Sequence, residues 1–356
     1  MNYLSVQDLG KSYGIQTLFK GLNFGIDQGQ KVALVARNGT GKTTILRALA
    51  GVESADTGLV VFRKGIRIAF LQQDSHFGNA KTVYQAIFES ENPLLSAIQE
   101  YEEALLNPEN ADAFQKAFDK MDQLEAWDYE VKVKTILSKL KLDELTQELS
   151  VLSGGQKKRL SLAKILIEQP DFLILDEPTN HLDLAMIEWL QEFLTKENVT
   201  LFMVTHDRYF LDAICNEILE LEEGDLYRYK GNYTYYLEKK QERQTVMQTN
   251  IDKAKNLYTK ELEWMRRQPK ARGTKSKARI ESFYDVEKSA KKRIKNDKVQ
   301  LEVQMTRLGS KILELHKVSK SYGDLKILDQ FTYTFKKRDR IGIVGKNGVG
   351  KTTVLN

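Results

Sequence analysis

The chain has 356 residues, 41% hydrophobic and 29% charged, and a net charge of +5. That length suits about two domains of a soluble globular protein, and no run approaches the roughly 18 apolar residues of a membrane-spanning helix. The single cysteine, Cys215, excludes an intramolecular disulfide and fits a reducing, cytoplasmic setting, and no secretion signal opens the chain.

In chain order, the first feature is Lys11-Ser12-Tyr13-Gly14, a strand-to-turn pattern in which Tyr13 is placed to stack on a nucleobase. Lys31–Val35 is a short apolar run, read as a buried strand. It feeds Ala36-Arg37-Asn38-Gly39-Thr40-Gly41-Lys42-Thr43-Thr44, and a helix is expected from Thr43 to Ala50. Such a loop turns successive backbone N–H groups inward at a helix start, where the helix dipole favours anions. Gly39 and Gly41 let the backbone close around oxygens, Lys42 reaches the β- and γ-phosphates, and the Thr43 hydroxyl holds Mg2+. The pattern asks for glycine at position 36 and finds alanine, a departure small enough for binding to survive. Gln73 is the candidate to reach the Mg2+ or the attacking water, with Gln72 beside it as the alternative.

Residues 93–139 read as helical with a break at Asn107-Pro108-Glu109-Asn110. Beyond it Phe114, Phe118, Met121, Leu124 and Trp127 fall on one helical face, a packing stripe. Then comes Leu152-Ser153-Gly154-Gly155-Gln156. Asp171–Leu175 is a second buried strand; it ends on Asp176, a carboxylate for Mg2+, and Glu177, which orients water. Val199–Val204 is a third strand followed by His206, placed to sense the γ-phosphate at the ligand-binding side of an α/β sheet.

From Met247, a stripe of Met247, Ile251, Ala254, Tyr258, Leu262 and Met265 recurs at helical spacing. Two linker helices pair along such stripes, with a bend expected near Pro269 to Gly273. Residues 266–295 hold twelve basic and three acidic side chains, a local +9, so the remainder carries −4. Arg266, Arg267, Lys270, Arg272, Lys275, Lys277 and Arg279 crowd the tip without an acid among them, which points to a phosphate-rich partner.

Lys320-Ser321-Tyr322-Gly323 repeats the opening motif, and Gly345-Lys346-Asn347-Gly348-Val349-Gly350-Lys351-Thr352-Thr353 repeats the phosphate loop. Both lie 309 residues after their first copies, so the fold's entrance occurs twice. Tyr322, Gly348, Gly350, Lys351, Thr352 and Thr353 are the nucleotide-binding candidates of the second copy. The expected organisation is a first domain at 1–236, a basic helical linker at 237–309 and the start of a second domain at 310–356.

Phosphate loop, Gln73, the Leu-Ser-Gly-Gly-Gln pentapeptide, Asp176-Glu177 and His206, in that order, resemble an ATP-binding cassette domain: a P-loop NTPase α/β fold with a helical subdomain. Two such entrances without membrane segments resemble the ABC-F subfamily. So do Glu177-Pro178-Thr179-Asn180-His181-Leu182-Asp183, Gly231-Asn232-Tyr233, and the run Glu261–Arg267 followed by Pro269–Arg272, most like its Uup-type branch. The resemblance implies two cassettes facing head to tail around two ATP molecules. Ser153 and Gly155 of one would meet the γ-phosphate held by the other. It also implies work on the ribosome, with the linker reaching toward rRNA and tRNA. A DNA-maintenance ATPase and a transporter's ATPase subunit are the alternatives. Only one signature pentapeptide occurs in the 356 residues, so the expectation is Mg-ATP binding with weak turnover, unless a homodimer lends Ser153.

Overall fold

The computed structural model describes residues 1–72, 77–88, 92–106, 109–266, 277–291, 311–323, 325–337, 339–345 and 349–355. The chain divides into two compact units. One is Met1–Tyr233 with Leu315–Thr332 and Arg340–Asn356, and the other is Thr234–Glu314 with Tyr333–Asp339.

The first unit opens with a long hairpin, β1 (Asn2–Tyr13) and β2 (Gln16–Asp27), joined by β4 (Thr57–Phe62) in an antiparallel sheet of order β2-β1-β4. A second sheet has the order β5-β6-β7-β3-β8-β9, from β3 (Lys31–Ala36), β5 (Ile68–Leu71), β6 (Phe172–Asp176), β7 (Thr200–Val204), β8 (Glu217–Glu222) and β9 (Asp225–Lys230). Its first five strands are parallel and β9 is antiparallel. β6 and β7 are buried at every position, as expected of apolar runs covered on both faces.

Helix α1 (Lys42–Leu49) buries Ile45, Leu46 and Leu49 in one core with Leu4, Leu9, Phe19 and Ile26 of the hairpin and Phe172, Ile174, Phe202 and Val204 of the parallel strands. Phe24 stacks on Phe202 at 5.7 Å and Phe62 meets Phe172 edge-on at 5.2 Å. The phosphate-loop helix is therefore fixed by apolar contacts to both sheets.

The helical part comprises α2 (Val83–Phe88), α3 (Pro93–Leu106), α4 (Ala111–Gln123), α5 (Trp127–Lys139) and α6 (Gly154–Ile167). The stripe from Phe114 to Trp127 is not on one helix. The chain breaks between Gln123 and Trp127, with Glu125 in the left-handed region at φ +51°. Trp127 still joins the cluster, lying 5.3 Å from Phe118 and edge-on to Tyr101 at 5.0 Å, while its indole N–H donates to Asp122. Leu124 is more than a third exposed at the break. Two further helices, α7 (Leu184–Lys196) and α8 (Arg208–Ile214), follow β6 and β7.

In the second unit, α9 (Tyr233–Arg266) and α10 (Lys277–Ala290) meet at Tyr258 of the expected stripe, whereas Met247 at its start is exposed. Tyr258 stacks on the buried Phe283 at 5.5 Å. The expected bend at Pro269–Gly273 lies outside the described residues. Because α9 begins at Tyr233, the helical extension starts three residues before the expected end of the first domain.

The later copy appears as a two-stranded sheet, β10 (Lys311–Tyr322) and β11 (Leu325–Lys336), then α11 (Lys351–Leu355). Adding 309 to the limits of β1 and β2 gives the limits of β10 and β11 residue for residue. Backbone detail repeats as well. Asp8 and Lys317 share the left-handed region at φ +48° and +46°, as do Gly21 and Gln330 at +69° and +46°. The Asp8 N–H donates to Asn23 Oδ1 at 2.9 Å and the Lys317 N–H to Thr332 Oγ1 at 3.0 Å.

Candidate ATP site

β3, β6 and β7 are neighbours in the parallel sheet, and their carboxyl ends bring the phosphate loop, Asp176 and Val204 to one cleft. It has a volume of about 500 Å3, and Asn38, Lys42, Thr43, Asp176, Glu177 and His206 are in its lining, with Gly39, Gly41 and Thr44. Motifs up to 168 residues apart in sequence thus converge where α/β sheets bind ligands.

The loop conformation depends on its glycines. Gly39 and Gly41 have φ of +80° and +84°. A Cβ on Gly41 would sit 3.0 Å from Leu18 Cδ1 and 3.4 Å from Phe19 Cδ1. The later copy places Ile327 against Gly350 in the same way. Thr40 closes the turn, its N–H and hydroxyl both donating to the Arg37 carbonyl. Lys42 Nζ donates to the Ala36 carbonyl and to Asn38 Oδ1, each at 3.1 Å, and Lys351 Nζ donates to the Gly345 carbonyl at 2.6 Å. Position 36 therefore contributes its backbone oxygen, and alanine provides this as glycine does. Burial draws the Lys42 ammonium below the usual lysine range, opposed by Glu177 and Asp176.

Asp176 is 1% exposed. Burial raises its carboxyl above the usual range, against a hydrogen bond with Thr43 and the charges of Lys158, Arg47 and Lys42. Its Oδ2 has no hydrogen-bond partner among the described residues. A buried orphan carboxylate oxygen beside the Thr43 hydroxyl is the oxygen-donor arrangement a hard divalent cation takes, so the residues present fit Mg2+.

Glu177 is buried and sits at φ +49°. Its N–H donates to the Val204 carbonyl at 2.8 Å, and its Oε2 accepts the His206 N–H at 3.2 Å. The His206 ring Nε2 lies 3.6 Å from Glu177 Oε1, and that side chain is 66% exposed. Glu177 is held by backbone groups of the adjacent strand end, while the His206 side chain is exposed at the cleft. Gln73 lies outside the described residues; Gln72, just past β5, is half-buried.

The remaining candidates lie elsewhere. Ser153 caps α6, accepting the Gln156 N–H while the Gln156 side chain accepts the Ser153 N–H, a reciprocal capping box. The exposed first turn behind it offers unpaired N–H groups of the kind that bind anions. Gly155 faces His181, whose Cβ would be 3.5 Å from an added Cβ. Tyr13 and Tyr322 end β1 and β10 and are 53% and 58% exposed, outside the cleft lining. Lys351, Thr352 and Thr353 open α11, whereas Gly348 lies outside the described residues.

Of the basic tip, Arg267, Lys270, Arg272 and Lys275 lie outside the described residues. Arg266 and Lys277 are exposed. Arg279 is engaged within the hairpin: its Nε and Nη2 both donate to Glu261 at 2.9 Å, and its guanidinium lies 4.1 Å from the Trp264 ring centre.

Sequence reasoning missed one linkage. Lys141 Nζ reaches the buried Asp183 at 2.5 Å, and Arg159 Nη1 donates to the Leu140 carbonyl at 2.8 Å. The end of α5 is thereby joined to the signature helix α6 and to the cap of α7. Asp183 one residue before a helix, accepting the Met186 N–H, was the available signal.

A family described as ABC transporter matches residues 19–180, and a second with that description matches residues 219–302. The chain belongs to the ATP-binding cassette family. This cassette protein is 40% identical to an uncharacterized ABC transporter ATP-binding protein, YfmR, of Bacillus subtilis, over 100% of this chain and 58% of the relative. It is 35% identical to the energy-dependent translational throttle protein EttA of Haemophilus influenzae, over 95% of this chain and 62% of that one. Against the Mycobacterium tuberculosis protein of that name the identity is 32%, over 99% and 64%. The cassette chain thus spans 58–64% of these relatives' lengths. Similarity running through cassette and extension alike bears out the ABC-F resemblance. No described helix is long and apolar enough to cross a membrane.

Proposed function

We propose that the chain is the first cassette and interdomain hairpin of a cytoplasmic translation factor that couples ATP binding and hydrolysis to work on the ribosome. The observation that carries this is one chain holding both the Lys42–Asp176–Glu177–His206 cleft and a paired, basic-tipped α9–α10 extension, similar along nearly its whole length to proteins named for translational throttling. The loop N–H groups from Asn38 to Thr44 and the α1 dipole bind the β- and γ-phosphates, and Lys42 exchanges its loop oxygens for phosphate oxygens. Thr43 and Asp176 hold Mg2+, which when bound neutralises charge on the phosphates. Glu177 orients the attacking water, a role for which Gln73 is the second candidate, and His206 donates to the γ-phosphate. Ser153 and Gly155 offer the α6 N-terminus to a nucleotide on a facing cassette, and Tyr322 and Gly348–Thr353 form the second phosphate site. Arg266, Arg267, Lys270, Arg272, Lys275 and Lys277 carry the hairpin's contact with rRNA or tRNA phosphates.

Because one signature pentapeptide serves two phosphate loops in this sequence, the 356-residue chain binds Mg-ATP and turns it over weakly, with a rate that rises with concentration if copies pair. The test is co-sedimentation of the intact protein with ribosomes, using Glu177→Gln to keep ATP bound while hydrolysis falls by about 100-fold or more. ATP-dependent retention on ribosomes is expected. Binding to branched DNA with none to ribosomes would overturn the proposal, as would an unchanged ATPase rate in the variant.

A further inference from the structure

Tyr13 and the two residues before it are each tied to the turn that follows the phosphate-loop helix. Its hydroxyl donates to Glu53. The N–H of the preceding Ser12 donates to Asp56 Oδ2 at 2.8 Å. The Lys11 ammonium lies 5.6 Å from the centre of the tyrosine ring, itself braced by the Ser54 carbonyl at 2.7 Å, Asp56 at 3.3 Å and Glu53 at 3.5 Å. Glu53 in turn is pinned to the last turn of α1, where the N–H groups of Val52 and Glu53 both donate to the Arg47 carbonyl. One end of α1 thus carries the phosphate loop and the other fixes an exposed aromatic ring. The lysine-over-tyrosine pairing recurs in the second copy, with Lys320 at 5.2 Å from the Tyr322 ring.

We propose that Glu53 is a positioning residue for the nucleobase: it ties the Tyr13 ring to the phosphate helix, with Lys11 behind the ring, and so sets the spacing between the base platform and the triphosphate grip. The inference rests on the reading of Tyr13 as the base-stacking side chain. Its physical content is pre-organisation. A ring already ordered loses less rotamer freedom when adenine stacks on the face Lys11 leaves open, and a cation against one face of an aromatic ring is itself attractive.

The test measures binding of Mg-ATP and of inorganic triphosphate to the 356-residue chain by calorimetry. Glu53→Ala is expected to weaken ATP by about 3- to 10-fold and to leave triphosphate unchanged. Glu53→Gln, which keeps an acceptor for the tyrosine hydroxyl, is expected to restore ATP affinity. Tyr13→Phe should reproduce the loss, and adding Glu53→Ala to it should cost nothing more. Equal losses for both ligands, no loss for either, or additive losses in the double variant would overturn the proposal; should Glu53→Ala misfold, Tyr13→Phe and Glu53→Gln decide it. The underlying reading of Tyr13 fails separately if Tyr13→Ala leaves the ATP-to-triphosphate affinity ratio unchanged.

Discussion

Replacing Gly41 and Gly39 by alanine, one at a time, separates two costs inside the phosphate loop. Both sit in the left-handed region, at φ +84° and +80°, where a Cβ costs about 1–2 kcal/mol. Around Gly39 nothing lies within 4 Å of the added atom, so the backbone term is the whole effect. At Gly41 the Cβ would lie 3.0 Å and 3.2 Å from two Leu18 carbons and 3.4 Å from Phe19. Leu18 and Phe19 belong to β2, and Phe19 is part of the shared core, so relief requires repacking; overfilling of this kind adds about 1–3 kcal/mol. Gly41→Ala is therefore expected to lower stability by about 2–5 kcal/mol and Gly39→Ala by about 1–2 kcal/mol. Urea unfolding of the nucleotide-free chain, followed by circular dichroism, measures both. If the two variants agree within about 0.5 kcal/mol, the packing of the loop onto the β1–β2 hairpin contributes nothing and the argument fails.

Asp176→Asn should stabilise the nucleotide-free protein at pH 7 by about 0.5–2 kcal/mol while weakening Mg-ATP binding. Burial raises this carboxyl in the folded state, so ionisation costs stability as pH rises from the unfolded value to the folded one; the advantage of the variant should vanish below about pH 3.9. Asp183 has the opposite sign: its hydrogen bond with Lys141 leads the causes that hold it below the usual range. Lys141→Met should cost about 1–3 kcal/mol at pH 7, and that penalty should disappear as pH falls through the depressed value of the wild-type pair; a pH series of denaturation midpoints checks both. In the intact protein bound to ribosomal RNA, Lys277→Ala should reduce the salt dependence of affinity by about one phosphate contact. Arg279→Ala should instead lower the helical signal of the hairpin, because that guanidinium is spent on Glu261 and Trp264.

The parallel strands were legible because burial on both faces leaves an unbroken apolar run, and residues 172–175 and 201–204 are such runs. The cleft residues were legible because phosphate chemistry restricts which residue types can follow those strands. The division between α4 and α5 was not. Its apolar spacing continues across the gap, and the turn is made by Glu125 with neither glycine nor proline to mark it. Pairs such as Tyr13 with Glu53 and Lys141 with Asp183 were invisible for a different reason: they lie 40 and 42 residues apart and exist only once the sheets and helices have packed.

The two hairpins share one main-chain path with different side chains. Leu18 corresponds to Ile327, Asn23 to Thr332 and Gly21 to Gln330, yet the backbone bends at the same places and is clamped by a side-chain oxygen at the same rung. What the two copies have in common is a path for the main chain, which two different sets of side chains satisfy. The path alone does not make residues 2–27 and 311–336 interchangeable: Ser319 stands where the earlier ribbon has Gly10, and a Cβ there would lie 2.5 Å from the Thr57 hydroxyl of the neighbouring strand.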